Sequence, residues 1–105
     1  MEGYRTAIRR NFVCAHRYAC EALDYLRDMR ELLTYDAKLN KLTRIEALLV
    51  DVTEAVGKED LTRVNEARRK LEEAKAMAEG LGLKHLGMSL WLAFGQLGFV
   101  LEKPG

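Results

Sequence analysis

Apolar residues recur along most of this chain in alternating steps of four and three, the spacing that lines one face of an α-helix. Ile8, Phe12, Ala15, Ala19, Ala22, Leu26, Met29 and Leu33 form the first such seam. It predicts a helix from about Tyr4 to Leu33, roughly 45 Å long at 1.5 Å per residue. No glycine or proline interrupts Tyr4 to Val56. Thr34, Tyr35 and Asp36 read as a turn, with Asp36 able to cap a second helix. That helix carries the seam Leu42, Ile45, Leu49, Val52 and Val56, and Gly57 is a natural stop. Asp60 then caps a third helix with inner face Leu61, Val64, Ala67, Leu71, Ala74 and Ala78. Its outer face pairs charges one turn apart: Glu66 with Lys70, Arg68 with Glu72, Arg69 with Glu73, Lys75 with Glu79. Arg17 with Glu21 and Arg27 with Glu31 do the same on the first helix. Gly80-Leu81-Gly82 ends the third helix, and a fourth runs from about Leu83 to Glu102, before Pro104 and Gly105. No stretch alternates with period two, so no sheet is expected.

These elements predict an all-α fold with residues 1–105 in a single helical domain. Its form is a four-helix antiparallel bundle or a set of stacked helical hairpins. The first helix is the longest, and its end should overhang the bundle or meet a partner.

The fourth helix departs from the pattern of the other three. On a wheel of about 100° per residue it has two apolar faces. Leu83, Leu86, Leu90, Ala93, Leu97 and Leu101 form the face expected to pack on the other helices. Met88, Trp91, Leu92 and Phe99 form a second one, leaving only His85, Ser89, Gln96 and Lys103 as a thin polar strip. Gly87, Gly95 and Gly98 fall around Trp91. Each glycine costs a helix interior roughly 1 kcal/mol relative to alanine, so three in one helix call for a compensating close approach of another backbone. The second face is therefore expected to be an association surface, made of Met88, Trp91, Leu92, Gly95, Gly98 and Phe99. A helix covered on all sides within its own domain is the competing arrangement, and four helices are too few to enclose one completely.

Composition narrows the function classes. With 49% apolar and 31% charged residues the chain is globular and not disordered. Seventeen basic against sixteen acidic side chains leave a formal charge of +1, without the basic excess usual in nucleic-acid binders. Near-neutrality also does little to oppose self-association. Cys14 and Cys20 lie six apart on one helix and cannot easily bridge, which suits a reducing, cytoplasmic setting. No apolar stretch follows the charged start, so no signal peptide is read there. The longest uncharged run, Leu86 to Leu101, is shorter than the roughly 20 residues of a spanning helix. A membrane partner is not expected.

The segment Leu71-Glu-Glu-Ala-Lys-Ala-Met-Ala-Glu-Gly-Leu-Gly82, followed by Trp91-Leu-Ala-Phe-Gly95, resembles a tetratricopeptide-type helical repeat. Trp91, Phe94 and Gly95 match the family's spacing of a large residue, a leucine and a glycine, with phenylalanine in place of the leucine. Gly98 stands where an aromatic residue is usual, and no second helix follows. The likeness lies between Glu66 and Gly105, with no matching repeat in the first half. Such arrays need about three repeats and end in a polar cap. What the resemblance implies is a protein-binding scaffold without catalysis.

Candidate chemistry is sparse. His16, Cys20 and Asp24, spaced by four, line one stripe of the first helix, as zinc ligands can. A closed site takes four ligands, and the chain has only two cysteines and two histidines. No Glu-x-x-His pair suggests a di-iron bundle. Ser89 is the only serine and has no base placed beside it by sequence, and a Cys20–His16 thiolate pair would sit in a helix interior. The glycines of the fourth helix lack the spacing and the preceding strand of a phosphate loop. No enzyme activity and no cofactor are expected. The alternative to protein association is nucleic-acid binding by Arg5, Arg9, Arg10 and Arg17, which make the start of the first helix locally basic. The reading with most support is a helical protein that acts by association, as a homodimer or with a protein partner.

Overall fold

In the computed structural model, backbone is described for residues 2–32 and 36–102, and side chains for residues 9–29 and 40–100. Among these, four α-helices follow one another: α1 (Glu2–Leu32), α2 (Asp36–Gly57), α3 (Val64–Gly80) and α4 (Lys84–Glu102). No strand occurs among the described residues. Each helix packs on the two beside it, and α1 closes the ring against α4. That closure makes the fold a four-helix antiparallel bundle and not an open stack of hairpins. A cross-section of 20 × 19 Å holds two helices by two at the usual 8–10 Å spacing. α1 is the longest helix, with 31 residues against 22, 17 and 19. Its Arg9 already lies level with the turn after α2, in an ion pair with Glu59 at 3.6 Å, and the helix runs on beyond that level.

The core follows the seams read from the sequence, except that Met29 and Leu83 are only half-buried and Leu61 is exposed. Phe12, Ala15, Ala19, Ala22 and Leu26 of α1 are buried, as are all five seam residues of α2. From α3 come Val64, Ala67, Leu71, Ala74 and Ala78, and from α4 Leu86, Leu90, Ala93 and Leu97. Leu23, Ala55 and Val100 join them from one step off the seam, because a packed helix buries a band wider than a single line of residues. The side chains of Ile8, Leu33 and Leu101, and the expected turn at Thr34 and Tyr35, lie outside the described residues.

Three local details differ from the sequence reading. α2 ends at Gly57, but the left-handed residue of that turn is Glu59, at φ 53°. A Cβ at Gly57 would stand in ordinary contact, 3.4 Å, with the imidazole of His16. Asp60 caps a single 3-10 turn, Leu61–Arg63, before α3 begins, accepting hydrogen bonds from the Thr62 amide at 3.0 Å and hydroxyl at 2.6 Å. The turn carries Leu61 off the seam and out to solvent. The outer charges of α3 also reach further than one turn. Arg44 of α2 pairs with Glu73 at 2.7 Å, and Lys70 bridges Asp51 at 3.0 Å and Glu66 at 2.9 Å. Arg27 likewise reaches across to Glu46 of α2 at 3.5 Å.

The turn into α4 is a Schellman motif. The Leu83 amide donates to the Ala78 carbonyl at 2.9 Å and the Gly82 amide to Glu79 at 3.0 Å. Gly82 takes φ 76°, which a side chain would strain. This tight reversal sets α4 antiparallel to α3.

Candidate association surface

α4 is apolar nearly all round, so the bundle can cover only part of it. Leu86, Leu90, Ala93, Leu97 and Val100 are buried against the other helices. Of the polar strip, His85 meets α1, its ring 5.0 Å from that of Tyr25 between centroids, and Lys103 lies outside the described residues. What is left open is the second apolar face: Met88 is 59% exposed, Trp91 52%, Leu92 41% and Phe99 53%. Within this chain the fourth helix is therefore not enclosed.

The face divides into two lines. Gly87, Trp91, Phe94 and Gly98 border α3. Trp91 stacks on Phe94 with centroids 5.6 Å apart and planes 20° from parallel. Two cations of α3 lie over these rings, Arg68 at 4.2 Å from the Phe94 centroid and Lys75 at 5.1 Å from that of Trp91. Such contacts contribute roughly 0.5–2 kcal/mol according to how far they are desolvated. Arg68 thus lies against an aromatic ring of α4 and not only along its own helix beside Glu72. Lys75 keeps the expected pair with Glu79 at 2.6 Å. Trp91 stands as a ridge between two hollows. One, of about 440 Å³, is lined by Lys75, Glu79, Lys84, Gly87, Met88 and Trp91. The other, of about 200 Å³, lies on the Phe94 side.

The second line is Met88, Leu92, Gly95 and Phe99, turned away from α3. The three glycines separate accordingly. A Cβ on Gly98 would come within 3.3 Å of the Arg68 guanidinium, and one on Gly87 would touch Glu79 at an ordinary 3.7 Å. Gly95 has nothing within 4 Å of that position among the described residues.

The sequence reading did not single out Arg68, Lys75 or Phe94 for this surface. The available signal was the seven-residue spacing of Arg68 and Lys75, which puts two cations on one flank of the α3 seam beside the aromatic helix.

The other candidates separate in space. Arg9, Arg10 and Arg17 are exposed, and the side chain of Arg5 lies outside the described residues. Arg9 is paired with Glu59, and Arg17 with Glu21 at 3.4 Å. His16 and Cys20 do meet, with Sγ 3.6 Å from Nε2. Burial, and secondarily the Asp24 carboxylate, push the Cys20 thiol above its ordinary pKa, which opposes a thiolate. Among the described residues no three His, Cys, Asp or Glu side chains are grouped as metal ligands. No helix among them is long and apolar enough to cross a membrane. No protein-family model, curated protein or solved structure matches the chain.

Proposed function

We propose that this protein acts by association through the outer apolar face of α4, as a homodimer. The observation that carries the reading is the joint exposure of Met88, Trp91, Leu92 and Phe99 on one helix face. Contiguous apolar surface of this kind is what interfaces are made of, and exposed aromatic and methionine side chains are typical of their anchors. The near-balanced charge leaves no long-range repulsion between copies. A protein-binding role is also what the partial tetratricopeptide-type resemblance implies.

The test is the solution mass by light scattering of the wild type and of a Trp91→Glu/Phe99→Lys variant. The expected result is a dimer for the wild type and a folded monomer for the variant. A wild type that stays monomeric at high concentration refutes the homodimer. Nucleic-acid binding at the start of α1 is the weaker reading, since carboxylates already engage Arg9 and Arg17. Salt-dependent binding of DNA or RNA would favour it.

A further inference from the structure

The stripe Met88, Leu92, Gly95, Phe99 advances by four, three and four residues, the spacing of a helix–helix seam in which side chains of one helix enter holes of the other. It also has an internal complementarity. Turned end for end about its midpoint, between Leu92 and Gly95, it brings Leu92 opposite Gly95 and Met88 opposite Phe99. A large side chain then meets the one open notch, and a thioether meets an aromatic ring. Laid parallel instead, the stripe sets Leu92 on Leu92 and Gly95 on Gly95, a collision followed by a hole. Resting on the association reading above, we propose that two copies pair by an antiparallel crossing of their α4 helices, with Leu92 of each copy seated at Gly95 of the other.

Gly95 supports this independently of the exposed apolar surface. Gly87 and Gly98 border side chains of α3, whereas Gly95 borders none among the described residues. Its missing side chain leaves open space on the outer face of the helix. The crossing also suits closed two-fold symmetry, in which one patch serves both partners. In size the surface fits a modest dimer. Trp91 and Phe99 leave about half of their surface open, and an aromatic side chain presents roughly 150–250 Å². With Met88 and Leu92, the stripe and the neighbouring Trp91 together come to roughly 400 Å² per copy, or about 800 Å² for the pair before the polar rim is counted. Specific interfaces begin near 1,000 Å², roughly, in total. The rim must supply the remainder, and the dimer belongs to the weak, reversible class.

Sedimentation equilibrium over micromolar to millimolar concentrations tests the geometry with M88K, F99E, M88K/F99E and G95L. All three positions are on the open face, and helical circular dichroism checks each fold. Each single charge, and G95L, is expected to raise the dimer dissociation constant at least ~10-fold. M88K/F99E on one chain is expected to recover most of that loss, because each introduced ammonium faces an introduced carboxylate of the other copy. If the double variant is no better than the singles, or G95L pairs as tightly as wild type, the antiparallel crossing is wrong while the homodimer stands. A wild type monomeric at millimolar concentration overturns both.

Discussion

The outward surfaces of α3 and α4 lie side by side and are built from opposite chemistry. On α3 the exposed positions are mostly charged, and several charges of its outer side have partners on a neighbouring helix: Glu73 on Arg44, Lys70 on Asp51, Arg68 over Phe94. On α4 the exposed positions include the large apolar residues Met88, Trp91, Leu92 and Phe99, with Lys84 and His85 exposed near its start. α3 is finished against water by its own residues. α4 is finished only where α3 reaches over it, along the Trp91 and Phe94 line, and the line through Leu92 and Gly95 is left without cover among the described residues. The difference teaches that an apolar helix at the edge of a small bundle cannot be buried by three neighbours alone. Its second face stays exposed, and the proposed association would bury it.

The largest effect expected from probing this contrast is between two leucines of α4. Leu90 is fully buried, so Leu90→Ala should cost about 2–5 kcal/mol through lost burial and the cavity left behind. Leu92 is on the open face, and Leu92→Ala should cost the monomer less than about 1 kcal/mol. Urea unfolding at low protein concentration measures both. Equal losses would mean that the two faces are not distinct.

A middle-sized effect is expected where α3 covers α4. Arg68→Ala should destabilise by about 1 kcal/mol, because its guanidinium packs on Phe94 in a partly buried place. The exposed neighbour Arg69→Ala should stay within about 0.5 kcal/mol of wild type. Thermal unfolding of the two variants side by side checks whether cover over the aromatic line, and not charge in general, is what matters.

The smallest effect concerns pH and the start of the α3 segment. The two Thr62 hydrogen bonds hold the Asp60 carboxyl below its usual pKa. A depressed folded-state pKa gives stability that is present above the unfolded value of about 3.9 and is lost as pH falls through the folded one. The stability gap between wild type and Asp60→Ala should therefore be constant at neutral pH and close under acid. A gap that persists unchanged to low pH would show that the ionised cap is not its source.

Much of this architecture was legible in the chain. The seams of α2, α3 and the middle of α1 are the buried residues of the structure, because a period of 3.6 with polar residues between leaves one way to bury a helix. The turn at Gly80-Leu81-Gly82 was legible for a related reason, since a left-handed residue after a helix favours glycine. The stop at Gly57 was legible too, but the form of the turn after it was not, because nothing local announces Glu59 at a positive φ. Leu61 was misplaced on the seam because a 3-10 turn shifts the register by less than one helical step.

For the candidate surface, the sequence by itself determined which residues make up the second apolar face of α4 and that glycines interrupt it. Local spacing is enough for that, since positions three and four apart must share a side of any helix. Only the tertiary structure decided how that face is divided. The packing of α3 took Gly87, Trp91, Phe94 and Gly98 to one border, brought Arg68 and Lys75 over the rings, and left Leu92 and Gly95 open. Contacts between helices depend on their rotation and offset, and those are set by the packing of all four helices together and not by any one of them.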